Sequence, residues 1–180
     1  MMRSLIVSLA LILCAAPALA DETPALDIDP DRVTVSGISS GAQMATQLHI
    51  AYSDLFSGVA MLSGGPYNCA ENSLMTAMKS CMANTEGVPQ AAEIAVGIRE
   101  AAAAGELADP ANLADDRVWM FRGSQDSKIS AAVHGAAADV YAEFVPADQI
   151  LEVENIDAEH VFPADGRGNS CMEIVPPYVG

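Results

Sequence analysis

The sequence predicts an α/β fold: a mainly parallel sheet with helices on both faces. Three observations carry this. Short β-branched or apolar runs alternate with longer helical patterns, and parallel strands need crossovers of that kind, right-handed ones. Glycine and proline turns bound the runs. At one strand-to-helix corner stands Gly37-Ile38-Ser39-Ser40-Gly41, where small residues let the chain turn sharply and leave a serine hydroxyl at the top of the sheet.

Met1 to Ala20 reads as a signal peptide. Arg3 and the amino terminus give a positive start, Leu5 to Ala16 is an apolar stretch too short for a comfortable membrane span, and Ala18-Leu19-Ala20 is a cleavage site before Asp21. Leu13 precedes Cys14 where a lipid-anchor signal wants a small residue. A secreted, extracellular or periplasmic, protein is expected. Residues 21–30 form an acidic, proline-containing lead-in, and residues 31–180 are expected to form one domain.

Arg32 to Ser36 is the first strand, with Val33 and Val35 on one face and Thr34 on the other. Ala42 to Phe56 is helical. Gly58 to Ser63 is a second, buried strand, ended by Gly64-Gly65-Pro66. A short helix follows near Leu74 to Met82, and an alanine-rich one from Val88 to Ala104, stopped by Gly105 and Asp109-Pro110. Arg117 to Phe121 is the third strand, and Gly123 to Asp126 its turn. Ser130 caps a helix that runs to Phe144. Ile150 to Glu154 is the fourth strand, before a loop carrying His160.

The formal charge is −16, with only eight scattered basic residues. Phosphates would be repelled, which argues against nucleic acid and against an anionic membrane surface. Behind the signal segment lie Cys69, Cys81 and Cys171. Export permits disulfides. Cys69 and Cys81 bracket one loop and helix and are the preferred pair, which leaves Cys171 odd. No histidine lies near either paired cysteine, so no zinc site is read and no cofactor is implied.

A serine hydroxyl needs a base. His49 lies on the helix after Ser39, roughly 15 Å along it, and reads as a packing or surface histidine. His134 also reads as a helix residue. His160 follows a strand within Asp157-Ala158-Glu159-His160-Val161-Phe162-Pro163, at the edge where parallel sheets collect functional groups. It is the expected base. Asp126, in the glycine turn after the third strand, is the expected carboxylate. Asp157 is the alternative, and Asp116 lies at the wrong end of its strand. The N–H of Ser40, opening the helix, is an expected oxyanion donor.

Gly-Ile-Ser-Ser-Gly-Ala-Gln-Met-Ala at 37–45, Gly-Gly-Pro-Tyr-Asn-Cys-Ala at 64–70, the Gly123 to Asp126 turn, His160-Val161-Phe162-Pro163 and Gly168-Asn169-Ser170-Cys171 together resemble the secreted polyhydroxybutyrate depolymerases, in the subgroup with a circularly permuted α/β-hydrolase fold. The similarity runs collinearly over most of residues 30–178. It implies Ser39 as nucleophile, Asp126 as triad acid, His160 as base and Ser40 N–H as one oxyanion donor. It implies hydrolysis of a polyhydroxyalkanoate polyester or its oligomers. A small-ester or feruloyl-type esterase and a catalytically impaired polymer-binding fragment are the other readings. Members of the family continue well past the histidine and Asn-x-Cys blocks. The resemblance therefore implies a C-terminally truncated, incomplete domain, with a second oxyanion donor, part of the polymer crevice and a partner for Cys171 lying beyond Gly180.

Overall fold

The computed structural model describes residues 26–180; the expected signal peptide and Cys14 lie outside them. Four strands, β1 (Thr34–Ile38), β2 (Gly58–Leu62), β3 (Arg117–Phe121) and β4 (Ile150–Val153), form one parallel sheet in sequential order. The helices are α1 (Ser40–Ala51), α2 (Leu74–Ser80), α3 (Ala91–Ala103) and α4 (Ala131–Ala142). Among the described residues no helix is long and apolar enough to cross a membrane.

The expected elements are present with shifted ends, and the shifts have local causes. Pro30–Arg32 makes a 3₁₀ turn in which Asp29 accepts from Asp31 N, so β1 starts at Thr34 and runs on through Gly37 to Ile38. Pro89 delays α3 until Ala91, with Gln90 as its N-cap. Gly105 ends the same segment at φ 77°, a conformation that costs glycine little. Ser130 Oγ accepts from Val133 N and caps α4, worth about 1 kcal/mol.

Side chains alternate across the sheet. Val59, Met61, Val118 and Met120 face one way and pack with Ala42, Ala45 and Ile50 of α1, Ile98 of α3, and Ala137, Val140 and Tyr141 of α4. The buried residues of α1, namely Ala42, Ala45, Thr46, His49 and Ile50, fall at the spacing of one helix face. Each large side chain in this layer contributes about 1.5–3 kcal/mol by leaving water. Leu62 and Phe121 face the other way, together with partly buried Ile38 and Trp119. Among the described residues no helix covers them; Ala158, Val161 and Cys171 of the irregular segment after β4 do. The helical cover of the described residues therefore lies on one face where two were expected. Right-handed crossovers between strands in sequential order return each helix to the same side.

Register sets the site. Ile38, Leu62, Phe121 and Val153 stand in one row across the sheet. Ser39, Ser63 and Arg122 follow directly, and the loops to Asp126 and His160 leave from the same edge.

Candidate active site

Ser39 sits where β1 turns into α1, at φ 58° and ψ −122°, a sparsely populated conformation held by its surroundings. Its N–H donates to Leu62 O at 3.0 Å, and its carbonyl accepts from Gln43 N at 3.0 Å. Its side chain does not cap the helix, so the hydroxyl is not committed there. The turn is tight because Gly37 passes against Gly41: a Cβ on Gly37 would lie 2.2 Å from the Gly41 carbonyl carbon. Gly41 itself has open space where a Cβ would go. Ser40 is the first residue of α1, and its N–H has no acceptor within the helix.

Asp126 and His160 are brought together. His160 Nδ1 donates to Asp126 Oδ2 at 3.0 Å. The other oxygen, Oδ1, accepts from Lys128 N at 2.8 Å and Ile129 N at 2.9 Å. Burial pushes the Asp126 carboxyl up, but the hydrogen bonds from His160 and from those two N–H groups, with the Ser63 hydroxyl close by, outweigh it and hold the group well below the usual carboxylate range. Ser63 Oγ lies beside the carboxylate without reaching good hydrogen-bond geometry. With its Nδ1 proton on Asp126, His160 presents Nε2 as an acceptor.

The two loops are laced along their length. Arg122 N donates to Val153 O, Ser124 N to Ile156 O and Gln125 N to Ala158 O, at 3.1, 2.9 and 3.0 Å. Gly123 permits the approach, since a Cβ there would lie 2.0 Å from Ala158 O. Glu159 Oε2 accepts from Ser127 N at 3.0 Å and from His160 N at 3.1 Å, tying the aspartate turn to the histidine. On the far side Glu159 N donates to Cys171 O, and Phe162 pairs with Val179 in a parallel bridge.

The other candidates lie elsewhere. Asp157 accepts from Ser124 Oγ at 3.0 Å and makes no bond to His160. His49 is fully buried; its Nε2 lies 3.0 Å from Asp116 Oδ2 and its Nδ1 3.1 Å from Tyr141 OH. Burial lowers His49 to about 4 and raises Asp116, with help from Asp115, to about 6. His134 is fully buried, and its ring nitrogens, near the Gly64 backbone, meet no partner at hydrogen-bond geometry. Burial lowers it to about 4. No sequence signal marked Glu159 or Ser63 as supports. Arg122 was passed over as well, although a rare cation between an apolar strand and a glycine turn is a signal that could have marked it.

A cavity of about 450 Å³ opens beside Ser39, between α1, the 68–72 loop and the end of α2. Met44, Ala70, Ala77, Met82 and Ile129 give it apolar walls, and Gln43, Gln47 and Asn68 give it polar ones. Gln43 Nε2 donates to Cys81 O at 3.3 Å, and Asn68 N donates to Gln47 Oε1 at 3.0 Å. Cys81, which lines the cavity, is joined to Cys69 in a disulfide, Cα to Cα 5.8 Å. Cys171 is the free cysteine of the described residues. No group of three or more His, Cys, Asp or Glu residues among them is placed to hold a metal ion.

No family model matches the chain. It is 38% identical over 173 residues to the poly(3-hydroxybutyrate) depolymerase of Delftia acidovorans, covering 94% of this chain and 35% of that protein. It is 35% identical over 169 residues to the polyhydroxybutyrate depolymerase of Talaromyces funiculosus, covering 92% and 48%. The chain thus spans about half or less of the length of these relatives. The crystal structure of the depolymerase from Penicillium funiculosum superposes with a TM-score of 0.75 at 34% identity, over 87% of this chain and 48% of that one. A depolymerase complexed with an R3HB trimer superposes equally well, with a TM-score of 0.75.

Proposed function

Because this chain belongs, over the residues it spans, to the polyhydroxybutyrate depolymerase family, we propose that it is an exported serine esterase acting on hydroxyalkanoate polyester or its oligomers. The observation that carries this reading is the Asp126–His160 hydrogen bond at the sheet edge that also bears the Ser39 elbow. In the proposed mechanism Ser39 Oγ attacks the ester carbonyl and passes its proton to His160 Nε2. Asp126, ionised, holds the other ring proton and stabilises the imidazolium that forms. The Ser40 N–H and the aligned dipoles of α1 meet the oxyanion. His160 then protonates the leaving alkoxide. Water, activated by the same histidine, cleaves the acyl-enzyme and regenerates Ser39.

The cavity fits such a substrate, whose backbone alternates short apolar groups with ester oxygens. One feature favours polymer over small soluble esters. Leu74, Met75 and Met78 of α2 are exposed on the same short helix that lends Ala77 to the cavity wall, so an apolar surface adjoins the site. Residues 31–180 serve as the catalytic unit in this reading, with residues 1–20 as the export signal. The test is hydrolysis of p-nitrophenyl butyrate together with clearing of a turbid polyhydroxybutyrate suspension. Activity on both supports the depolymerase reading. Activity on the small ester alone moves the assignment to a small-ester enzyme, and activity on neither rejects catalysis by this chain.

A further inference from the structure

Arg122 is one of eight basic residues in the chain, and it is buried at the end of β3, 9% exposed. It forms no ion pair among the described residues. Its side chain donates instead to two main-chain carbonyls: Nε to Ile129 O at 2.9 Å and Nη2 to Asp126 O at 3.0 Å. A buried guanidinium without a carboxylate is expensive, and an apolar side chain would fill the same space at less cost. Packing alone does not account for an arginine here.

The geometry of the turn does. Residues 126–129 direct the N–H groups of Lys128 and Ile129 at Asp126 Oδ1, while the carbonyls of Asp126 and Ile129 go to one planar fork. Guanidinium donors have fixed mutual angles, so holding both carbonyls fixes the peptide planes at the two ends of the turn. The two peptide units between them, 127–128 and 128–129, carry the Lys128 and Ile129 N–H groups that grip Oδ1, so the clamp confines those groups between two fixed ends. With Oδ1 gripped, Oδ2 is left facing His160 Nδ1 at 3.0 Å. The Arg122 main chain is tied in turn to the end of β4, through Arg122 N to Val153 O at 3.1 Å, and the His160 loop leaves from that strand. One residue therefore references both partners to the sheet.

We infer that Arg122 is a positioning residue for the Asp126–His160 pair, clamping the 126–129 turn so that the carboxylate meets the imidazole. The inference rests on the triad reading of Asp126 and His160. Its test reads the pair directly, apart from turnover. A histidine Nδ1 proton bonded to a carboxylate gives a far-downfield proton resonance, to be recorded at low temperature on the full chain. Wild type should show it, Ser39→Ala should keep it and Asp126→Asn should lose it, which assigns it.

Arg122→Met, with no donors, should reduce its peak height about ten-fold or more, and Arg122→Lys, able to reach one carbonyl, should fall between, about three-fold down. On p-nitrophenyl butyrate, Arg122→Met should lower kcat about ten-fold or more with KM within about two-fold. If Arg122→Met does not fold, Arg122→Lys carries the test alone. A wild-type spectrum without the resonance, or a folded Arg122→Met or Arg122→Lys with wild-type resonance and kcat, overturns the inference. An Arg122-dependent resonance in a chain that hydrolyses no ester sinks the esterase proposal and leaves the positioning role standing.

Discussion

Asp126 Oδ2 and His160 Nδ1 stand 3.0 Å apart, although the two are 34 positions apart in sequence, with α4 and β4 between them. Parallel strand order makes this possible: β3 and β4 are neighbours, and both deliver their loops to one edge. The carboxylate is not shared with another side-chain cation, and its second oxygen is filled by main-chain donors. Its free acceptor direction therefore belongs to the imidazole.

Asp126→Asn keeps the shape and can present an N–H in place of an acceptor. The imidazole would then take the wrong tautomer, so kcat should fall by roughly 10⁴ with KM little changed. Stability should respond as well. The folded carboxyl sits below its unfolded value of about 3.9, so its stabilisation is present above that pH and is lost as pH falls through the folded value. Urea unfolding should show the variant weaker than wild type at neutral pH, with the gap closing in acid. A gap that widens in acid contradicts this sign.

Ser39→Ala should reduce ester hydrolysis to background while leaving thermal unfolding nearly unchanged, because the hydroxyl caps nothing. Ser40→Ala should keep most of the activity, since only its main-chain N–H is used. Near-wild-type turnover by Ser39→Ala would falsify the elbow assignment.

The two motif glycines should behave oppositely. Gly37→Ala drives a methyl group into the Gly41 main chain, 2.2 Å from its carbonyl carbon, and should cost about 2–4 kcal/mol. Gly41→Ala meets nothing within 4 Å and replaces a helical glycine, so it should be neutral or stabilise by up to about 1 kcal/mol. Denaturant midpoints of the two variants decide the matter.

The Cys69–Cys81 bridge closes a loop with a sequence separation of 12, for which loop entropy suggests about 3 kcal/mol. It also pins the wall of the cavity beside Ser39. Reduction, or Cys81→Ser, should lower the melting temperature and raise KM more than it lowers kcat. Among the described residues, non-reducing peptide mapping should leave Cys171 as the alkylatable thiol.

His49 and Asp116 form a buried pair in which burial works against both charges, with His49 at about 4 and Asp116 at about 6. His49 lies below its unfolded value, so alone it would lose stability as pH falls below about 6.5. Asp116 lies above its own, so alone it would gain stability as pH falls from about 6 to about 4. One proton on unfolded His49 is matched by one on folded Asp116, and the two slopes cancel. Asp116→Asn removes the compensation. Its stability should drop by up to about 1.4 kcal/mol per pH unit between pH 6.5 and 4, beyond any wild-type trend in urea unfolding. Parallel pH profiles for the two proteins would contradict the pairing.

Much of this was legible in the sequence because its signals are local. Arg117 to Phe121 could be bounded by its neighbours and matches β3 residue for residue. Ser130 announces its own cap. Ser39 could be read from two glycines and the change of periodicity around it, and Asp126 and His160 from the strands they follow. What was not legible depends on partners distant in sequence. Glu159 bridges Ser127 and His160, yet in the sequence it is one acid among 24. Helical cover on one face follows from strand order, which alternating elements do not reveal. His49 read as a surface or packing histidine; its tie to Asp116 exists only because α1 packs beside the residue that precedes β3.

The edge that gathers Ser39, Asp126 and His160 also fixes when in the life of the chain they meet. As synthesis proceeds, β1, α1 and β2 can pair early and hold the strained serine corner in place. His160, the proposed base, arrives only after β4 has docked on β3. A nascent or nicked chain carrying the first two strands would display Ser39, the proposed nucleophile, without His160, its proposed proton acceptor. On the proposed reading, strand order alone would keep the chemistry latent until β4 is in place.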